Sequence, residues 1–301
     1  MTATVSVAVP RKGRPLEAVL ERLAARTGDT ELADDVISTL RYEKAITKGD
    51  KREHRDVYQR LRAYSDIEDA NAPEFTLLRD DRAGFPRRVV FDSVTFGTGD
   101  LDVHLVGREE PFRALRTHSF ALGFDSADLV LEEVVGLTPN PLEDLAGVNE
   151  RIDPHDTDVR VVTGLGDTVY HTLMATPAAI ESASRSTLDR AFVDAYEGEL
   201  CISPRYERLV EAVLGTDATE GVTFTYAEDD REEEAAIADS GVGVYLTMSG
   251  STAREHGLEL GERLFPSETV LMSNTAEVDE AAERAISMLE SADLDSELVV
   301  Q

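Results

Sequence analysis

The sequence predicts an α/β protein in two lobes, and three observations carry that expectation. Runs rich in Val and Ile alternate with helical stripes of Leu and Ala, most regularly after residue 159, which is the pattern of parallel α/β sheets. A strand–turn–helix unit stands near each end of the chain, one starting at Val5 and the other at Val242. The length of 301 residues, 42% of them hydrophobic, suffices for two lobes of ordinary size with real cores.

Taken in order, Val5, Val7 and Val9 alternate in a first strand that ends at Pro10. The turn Arg11-Lys12-Gly13-Arg14 then leads to Pro15 at a helix's first position, where a missing N–H costs nothing. Leu16, Val19, Leu20 and Leu23 form the apolar stripe of that helix, and Gly28 closes it. A second helix is expected after Thr30, with Leu32, Val36, Ile37 and Leu40 inward. Between Lys44 and Arg62 basic residues concentrate (Lys44, Lys48, Lys51, Arg52, His54, Arg55, Arg60, Arg62). Such a cluster reads first as solvated helix faces paired with neighbouring acids, and second as an anion-binding surface.

Strands are expected at Phe75–Leu78, Val89–Phe91 and Val103–Val106, the last holding His104, which reads as a hydrogen-bonded core histidine before it reads as a base. Phe120–Val135 reads as a strand or loop followed by a helix, and Thr138–Asp158, with Pro139, Pro141, Pro154 and many acids, as a loop or lobe-connecting segment. Thereafter come strands at Val159–Val162 and Val169–Ala175, a helix around Leu188–Tyr196, a strand at Leu200–Ile202, a helix at Arg205–Leu214, a strand at Val222–Tyr226 and an acidic helix at Asp229–Ala238. The strand Val242–Leu246 runs into Ser249-Gly250-Ser251-Thr252, and a helix Arg254–Leu264, a strand Thr269–Met272 and a helix Val278–Leu289 complete the chain. The expected division is 1–160 as mainly the first lobe, 161–265 as mainly the second, and 266–301 as a return strand and final helix.

Asp and Glu number 60 against 30 Lys and Arg, a formal charge of −30, and the only lysines are Lys12, Lys44, Lys48 and Lys51. This balance suits a salt-accumulating cytoplasm, where a Debye length of about 3 Å at molar salt prevents the overall field from excluding an anion from a locally basic pocket. No basic face tracks phosphates, which argues against a nucleic-acid partner. Cys201 is the single cysteine, so an internal disulfide and a multi-cysteine metal site are both excluded. The N-terminal residues lack the order of a signal peptide and no run reaches membrane-spanning length, so a soluble, cytoplasmic protein is expected.

The two turns carry the chemistry. A strand, a Ser/Thr/Gly turn and a helix start place unpartnered backbone N–H groups and hydroxyls around one point, an arrangement suited to phosphate. The same residues also serve as an ordinary cap and turn, with Ser249 or Ser251 capping the helix and Gly250 only turning the chain. Lys12 and Arg14, flanking Gly13, read either as phosphate contacts or as a surface turn paired with nearby acids.

Four ordered stretches resemble the ATP phosphoribosyltransferase family. VSVAVPRKGRPLEAVLERL is similar to its first strand and P-x-K-G-R turn, and Gly99-Asp100-Leu101-Asp102-Val103-His104-Leu105-Val106-Gly107 to its G-x-x-D-L-G-I-V-G strand, with His104 at a usual glycine. Leu165-Gly166 through Leu173-Met174-Ala175-Thr176-Pro177 resembles its inter-lobe crossover without the central Gly and Cys, and Glu232–Thr252 can be laid on its signature ending D-[LIV]-x-x-[ST]-G-x-T-[LM]. The likeness covers about two thirds of the chain and leaves about a third as insertions, mainly Glu31–Pro73 and Arg108–Asp158. It implies a short-form member with a two-lobed fold like that of type 2 periplasmic binding proteins, its ligand cleft lying between the lobes.

The resemblance further implies displacement of pyrophosphate from C1 of phosphoribosyl pyrophosphate by N1 of ATP, with Mg2+, as the first step of histidine biosynthesis. By the same likeness Ser249, Gly250, Ser251 and Thr252 take the 5-phosphate, and Lys12, Gly13 and Arg14 contact phosphates. Arg205, Arg208 and Arg254, near expected helix starts, are candidates for added positive charge, and Glu232, Glu233 and Glu234 read as a solvated first helical turn. The family's acid near the ribose hydroxyls is here Tyr245, its Leu or Met after the threonine is Ala253, and its glycine after the early Glu is Ala238. A phenol hydrogen-bonds sugar but supplies no carboxylate, which leaves the catalytic residues unassigned. Two other functions therefore stay open: a regulatory or subunit protein that binds nucleotide or phosphoribosyl groups without catalysis, and a transferase for a different base. Either fits a homo-oligomer or a partner subunit.

Overall fold

The structure is a computed structural model that describes residues 2–65, 72–79, 87–134, 142, 145–183, 185, 187–227 and 232–290. The chain divides into two compact units: unit 1 holds Met1–Asp125, Asp158–Leu165 and Thr269–Gln301, and unit 2 holds Ser126–Thr157 and Gly166–Glu268.

Unit 1 begins with β1 (Ala3–Pro10), α1 (Arg14–Thr27), α2 (Thr30–Lys48) and α3 (Val57–Tyr64). It continues with β2 (Glu74–Arg79), β3 (Arg87–Gly97), β4 (Leu101–Arg108), α4 (Pro111–Arg116) and β5 (Leu122–Ser126). The chain then enters unit 2 through α5 (Ala127–Val134) and α6 (Ala146–Arg151), and returns for β6 (Val159–Gly164). Unit 2 is completed by β7 (Val169–Ala175), α7 (Pro177–Ser182), α8 (Arg190–Ala195), β8 (Gly198–Ile202), α9 (Glu207–Leu214) and β9 (Val222–Tyr226). It also holds α10 (Glu233–Ser240), β10 (Val242–Thr247), α11 (Ser251–Glu255) and β11 (Glu259–Ser267). β12 (Thr269–Asn274) and α12 (Glu280–Glu290) close unit 1.

The α/β class and the two-lobed organisation are as the sequence predicts, but the sheets are mixed rather than parallel. Unit 1 has a seven-stranded sheet in the order β2-β3-β4-β1-β5-β12-β6, and unit 2 a five-stranded sheet in the order β11-β7-β10-β8-β9. In unit 1, β1 runs parallel to β4 and β5, while β2, β3 and β4 form antiparallel hairpins. The turn between β3 and β4 is too short for a crossover: Thr98 donates both its N–H and its hydroxyl to the Leu101 carbonyl, which fixes the antiparallel course. In unit 2, β10, β8 and β9 are mutually parallel, and β7 runs antiparallel to both β10 and β11.

The expected stripe of α1 is buried as read, with Leu16, Val19, Leu20 and Leu23 fully inaccessible, each contributing on the order of 1.5–3 kcal/mol. Val36, Ile37 and Leu40 of α2 join the same core with Phe91, Phe96 and Leu105 of the sheet. Three of the basic residues between Lys44 and Arg62 meet partners close in sequence. Arg60 donates from Nε to Glu43 at 2.7 Å, Arg55 meets Glu53 at 2.9 Å, and Lys51 lies over the Tyr42 ring at 4.1 Å.

Two further expectations need correction. The stretch expected as a helix over Arg254–Leu264 is a short α11 followed by β11. The helix stops at Glu255 because the next residues must turn the chain back to fill the open edge of β7, where Leu264 and Phe265 are completely buried. Ser126–Thr157, counted with the first lobe in the division at 160, packs in unit 2, since its helix α5 lies on β11 and α9. Pro139, Pro141 and the other residues at 135–141 and 143–144 of the expected connecting segment, together with Asp229 at the start of the expected acidic helix, lie outside the described residues.

Candidate functional site

In unit 1 the basic turn follows β1 directly. Gly13 adopts φ +91°, a backbone region that L side chains rarely enter, and this lets the chain reverse into α1 with Pro15 in its first turn. Arg11 anchors the turn from below: its Nη1 donates to the Phe91 carbonyl at 3.1 Å and to Asp92 Oδ1 at 2.7 Å, and its own carbonyl accepts the Phe91 N–H at 3.0 Å. Arg11 is thereby committed to structure, whereas Lys12 and Gly13 are exposed and Arg14 is half-buried at the helix start.

In unit 2 the second turn follows β10. Gly250 caps α11 with φ +67°, a backbone region L side chains rarely adopt, and a Cβ there would lie 2.3 Å from Cδ1 of the exposed Leu260 side chain, which would have to shift. The Ser249 and Ser251 hydroxyls hydrogen-bond each other at 3.0 Å, and Arg254 Nη2 donates to the Ser249 carbonyl at 2.8 Å. Ser249, Ser251, Thr252 and Arg254 are all exposed, while Ala253 is buried beneath them. Because α11 has only five residues, its macrodipole is small. An anion at this turn would rest on first-turn N–H groups, hydroxyls and Arg254.

A cavity of about 230 Å³ opens at the carboxyl ends of the three parallel strands of unit 2. Cys201 and Ser203 line it from β8 and just beyond, Ala227 from the end of β9, Val244 and Tyr245 from β10, and Glu233 from the first turn of α10. Strand pairing of Gly243 with Cys201 and of Ile202 with Tyr226 brings Ser203, Ala227 and Tyr245 to one level. Burial, then the charge of Glu233 and a hydrogen bond to its carboxylate, push the Tyr245 phenol well above its usual value, so it stays a neutral donor.

Behind the cavity's Ser203–Pro204 edge lies a buried polar cluster. Tyr206 donates to Asp128 Oδ2 at 2.7 Å, and His171 Nε2 is 3.0 Å from the same oxygen. Asp128 and His171 are each 3% exposed, and the imidazole stacks on Phe265 with centroids 4.4 Å apart.

With this geometry in hand, a family model described as halobacterial ATP phosphoribosyltransferase matches residues 1–300. The chain belongs to the halobacterial ATP phosphoribosyltransferase family. Among solved structures, it is similar to an ATP phosphoribosyl transferase (HisG:HisZ) complex from Thermotoga maritima at 15% identity and a TM-score of 0.43, with 95% of each chain covered. It is also similar to the regulatory domain of MetR, a LysR family regulator from N. meningitidis, at 8% identity and a TM-score of 0.37, covering 96% of this chain and 94% of that one. No curated protein sequence matches it.

For this halobacterial ATP phosphoribosyltransferase family chain, Ser249, Gly250, Ser251 and Thr252 come together with Arg254 in one turn, and Tyr245 lies on the strand leading to it. Lys12, Gly13 and Arg14 form the turn of unit 1. Arg205 and Arg208 are not part of the unit 2 turn; both are exposed, Arg205 just before α9 and Arg208 in its first turn, with Arg208 Nε 3.5 Å from Glu132 Oε1. His104 is half-buried rather than fully buried, and its Nδ1 lies 2.9 Å from the Thr95 hydroxyl. Glu233, which the sequence presents as one of three solvated acids, instead lines the cavity with Tyr245. Its distance from Tyr245 along the chain hid that pairing, and only the helical phase of α10, which turns Ile237 inward on the same face, offered a signal.

Proposed function

We propose that the protein is a phosphoribosyltransferase that joins N1 of ATP to C1 of phosphoribosyl pyrophosphate, the first step of histidine biosynthesis, in the cytoplasm. The observation that carries this reading is the family model spanning nearly the whole chain, together with the retention of both motif turns. Ser249, Gly250, Ser251 and Thr252 hold the 5-phosphate, and Lys12, Gly13 and Arg14 neutralise phosphate charge. The N1 lone pair forms the new bond to C1 while the C1–O bond breaks and its electrons leave with pyrophosphate. The protein's part is to align the reactants and stabilise the departing charge. Magnesium fits as an ion carried by the pyrophosphate, since among the described residues no group of three or more His, Cys, Asp or Glu is placed to hold a metal. When bound there it supplies charge neutralisation on the leaving group.

A second reading has a specific observation behind it. Tyr245 in place of the family acid favours a protein that binds the phosphoribosyl group without transferring it, or one that serves another base.

Isothermal titration with phosphoribosyl pyrophosphate and Mg2+ in high-salt buffer tests the shared premise of a phosphoribosyl site. Saturable binding is expected for wild type, weakened by tenfold or more when Thr252→Ala and Lys12→Ala are combined, as the loss of charge-assisted hydrogen bonds worth about 1.5–3 kcal/mol requires. Absence of binding by the folded wild type overturns it.

A further inference from the structure

We infer that β9 is an interaction surface for a second copy of this chain: two β9 strands pair antiparallel about a twofold axis at Phe224, joining two unit 2 sheets into one. The inference stands apart from the phosphoribosyl reading and uses none of its residues.

The sheet edges of this molecule differ in how they are guarded. An unpaired edge strand is a template for another chain, and folded proteins blunt such edges with charges, prolines and bulges. The two sheets leave four edges, at β2, β6, β9 and β11. β2 carries Glu74 and Arg79, β6 carries Arg160, and β11 carries Glu259, Glu262, Arg263 and Pro266 with two register shifts. β9 reads Val222-Thr223-Phe224-Thr225-Tyr226, with no charge, proline or register shift, in a chain of which 30% is charged. Every one of its residues is β-branched or aromatic, the types that suit a paired strand. Among the described residues no strand lies beyond it, Thr223 is exposed, and Tyr226 is 49% exposed.

The backbone of this edge is complementary to itself. β9 runs parallel to β8, and the Gly198 N–H donates to the Gly221 carbonyl at 3.4 Å. By the alternation of a strand, Thr223 and Thr225 then turn their backbone groups towards β8, while Val222, Phe224 and Tyr226 turn theirs to the open edge. The Val222 N–H donates to the Thr219 carbonyl at 3.1 Å, which leaves the Val222 carbonyl, the Phe224 N–H and carbonyl, and the Tyr226 N–H for a partner. Antiparallel pairing centred on Phe224 uses all of them. The two Phe224 residues exchange both bonds, and each Tyr226 N–H meets the Val222 carbonyl of the other copy.

The side chains match in the same register. The Tyr226 hydroxyl donates to Glu207, so Val222, Phe224 and Tyr226 share the α9 face, whereas the Thr225 hydroxyl lies 3.5 Å from that of Ser240 on the α10 face. Pairing sets Phe224 against Phe224 and Val222 against Tyr226 on the first face, and Thr223 against Thr225 on the second, all combinations that stabilise antiparallel pairs. No charge of the strand meets another across the seam, which is what two chains of formal charge −30 need in order to touch. A single five-residue seam belongs with small, transient interfaces, so the dimer is reversible, and it is favoured at molar salt, where the Debye length is about 3 Å. Each copy has one β9, so the pairing closes at two.

Sedimentation velocity over a series of protein concentrations tests the seam. Wild type is expected to form a reversible dimer in molar KCl, with a smaller dimer fraction at about 0.1 M. Tyr226→Pro removes an edge N–H and none of the bonds to β8; it is expected to keep the wild-type circular dichroism spectrum and to stay monomeric at the same concentrations. The register is tested with Thr223→Cys and Thr225→Cys made in separate chains. On mixing under mild oxidation a disulfide is expected, because these positions face each other with Cα atoms about 4.5 Å apart. Either variant alone is expected to give none, since like positions stand two residues out of line, and Cys201, 3% exposed, does not compete. A wild type that is monomeric at every concentration in molar KCl, a dimer equally strong in Tyr226→Pro, or a disulfide yield no greater in the mixture than in either variant alone overturns the pairing.

Discussion

Asp128 shows how much one side chain can hold in place. Burial alone would raise its pKa, but hydrogen bonds from His171, Ser126 and Tyr206 and the His171 charge outweigh that cost and lower it to about 2. Because the folded value is depressed below the ordinary 3.8, the carboxylate's stabilisation is complete above that pH and is lost as pH falls through about 2. Replacing it by Asn leaves His171 and Tyr206 facing an amide in a buried site. We expect Asp128→Asn to lower unfolding free energy by about 3 kcal/mol near neutral pH, measured by denaturant titration, with the gap to wild type closing between pH 4 and pH 2. A gap independent of pH would mean that the cost is steric. Since Tyr206 follows the Ser203–Pro204 edge of the unit 2 cavity by a few residues, the variant is also expected to loosen that edge.

At the scale of elements, the turn after β10 depends on one conformation. Gly250→Ala combines a left-handed φ, costing on the order of 1–2 kcal/mol, with a contact on Leu260 that must yield. Gly257 has a similar φ of +72° but nothing within 4 Å of an added Cβ. Gly250→Ala is therefore expected to destabilise more than Gly257→Ala in chemical denaturation and to weaken phosphoribosyl pyrophosphate binding, which Gly257→Ala leaves nearly intact. Equal effects of the two on both readouts would show that the Leu260 contact relaxes freely and that the turn holds no ligand. The strands and most helices were legible because their apolar periods are local: Val5, Val7 and Val9 alternate, and Leu16 to Leu23 keep the helical stripe. β11 was not legible as a strand. Its Leu260 and Leu264 stand four residues apart, a helical spacing, and what decides its fate is the unpaired edge of β7, far away in sequence. The motif turns were legible from residue type, whereas the Glu233–Tyr245 pair arises from the packing of α10 over β10.

The molecule as a whole couples an extreme surface charge to a chain that passes between its units at residues 125/126, 157/158, 165/166 and 268/269. One residue gathers most of the unit 2 side of those passages: the buried Glu268 accepts the Gly166 N–H at 2.8 Å and the Thr168 hydroxyl on its carboxylate, and the Ala127 N–H at 2.8 Å on its carbonyl. No described helix is long and apolar enough to cross a membrane. With a formal charge of −30, the anionic substrates proposed above would meet long-range repulsion that salt removes, so under that proposal the two motif turns would attract phosphate only when the Debye length shrinks to about 3 Å, its value at molar salt. We propose that these two turns serve phosphoribosyl transfer. It is tested most directly by incubating the protein with phosphoribosyl pyrophosphate, ATP and Mg2+ in molar KCl and following pyrophosphate release together with the appearance of N1-phosphoribosylated ATP. Both products are expected in equal amounts, increasing with salt and falling at least tenfold in Thr252→Ala combined with Lys12→Ala. Saturable binding of phosphoribosyl pyrophosphate with neither product formed would contradict it and leave a protein that holds the substrate without transferring it.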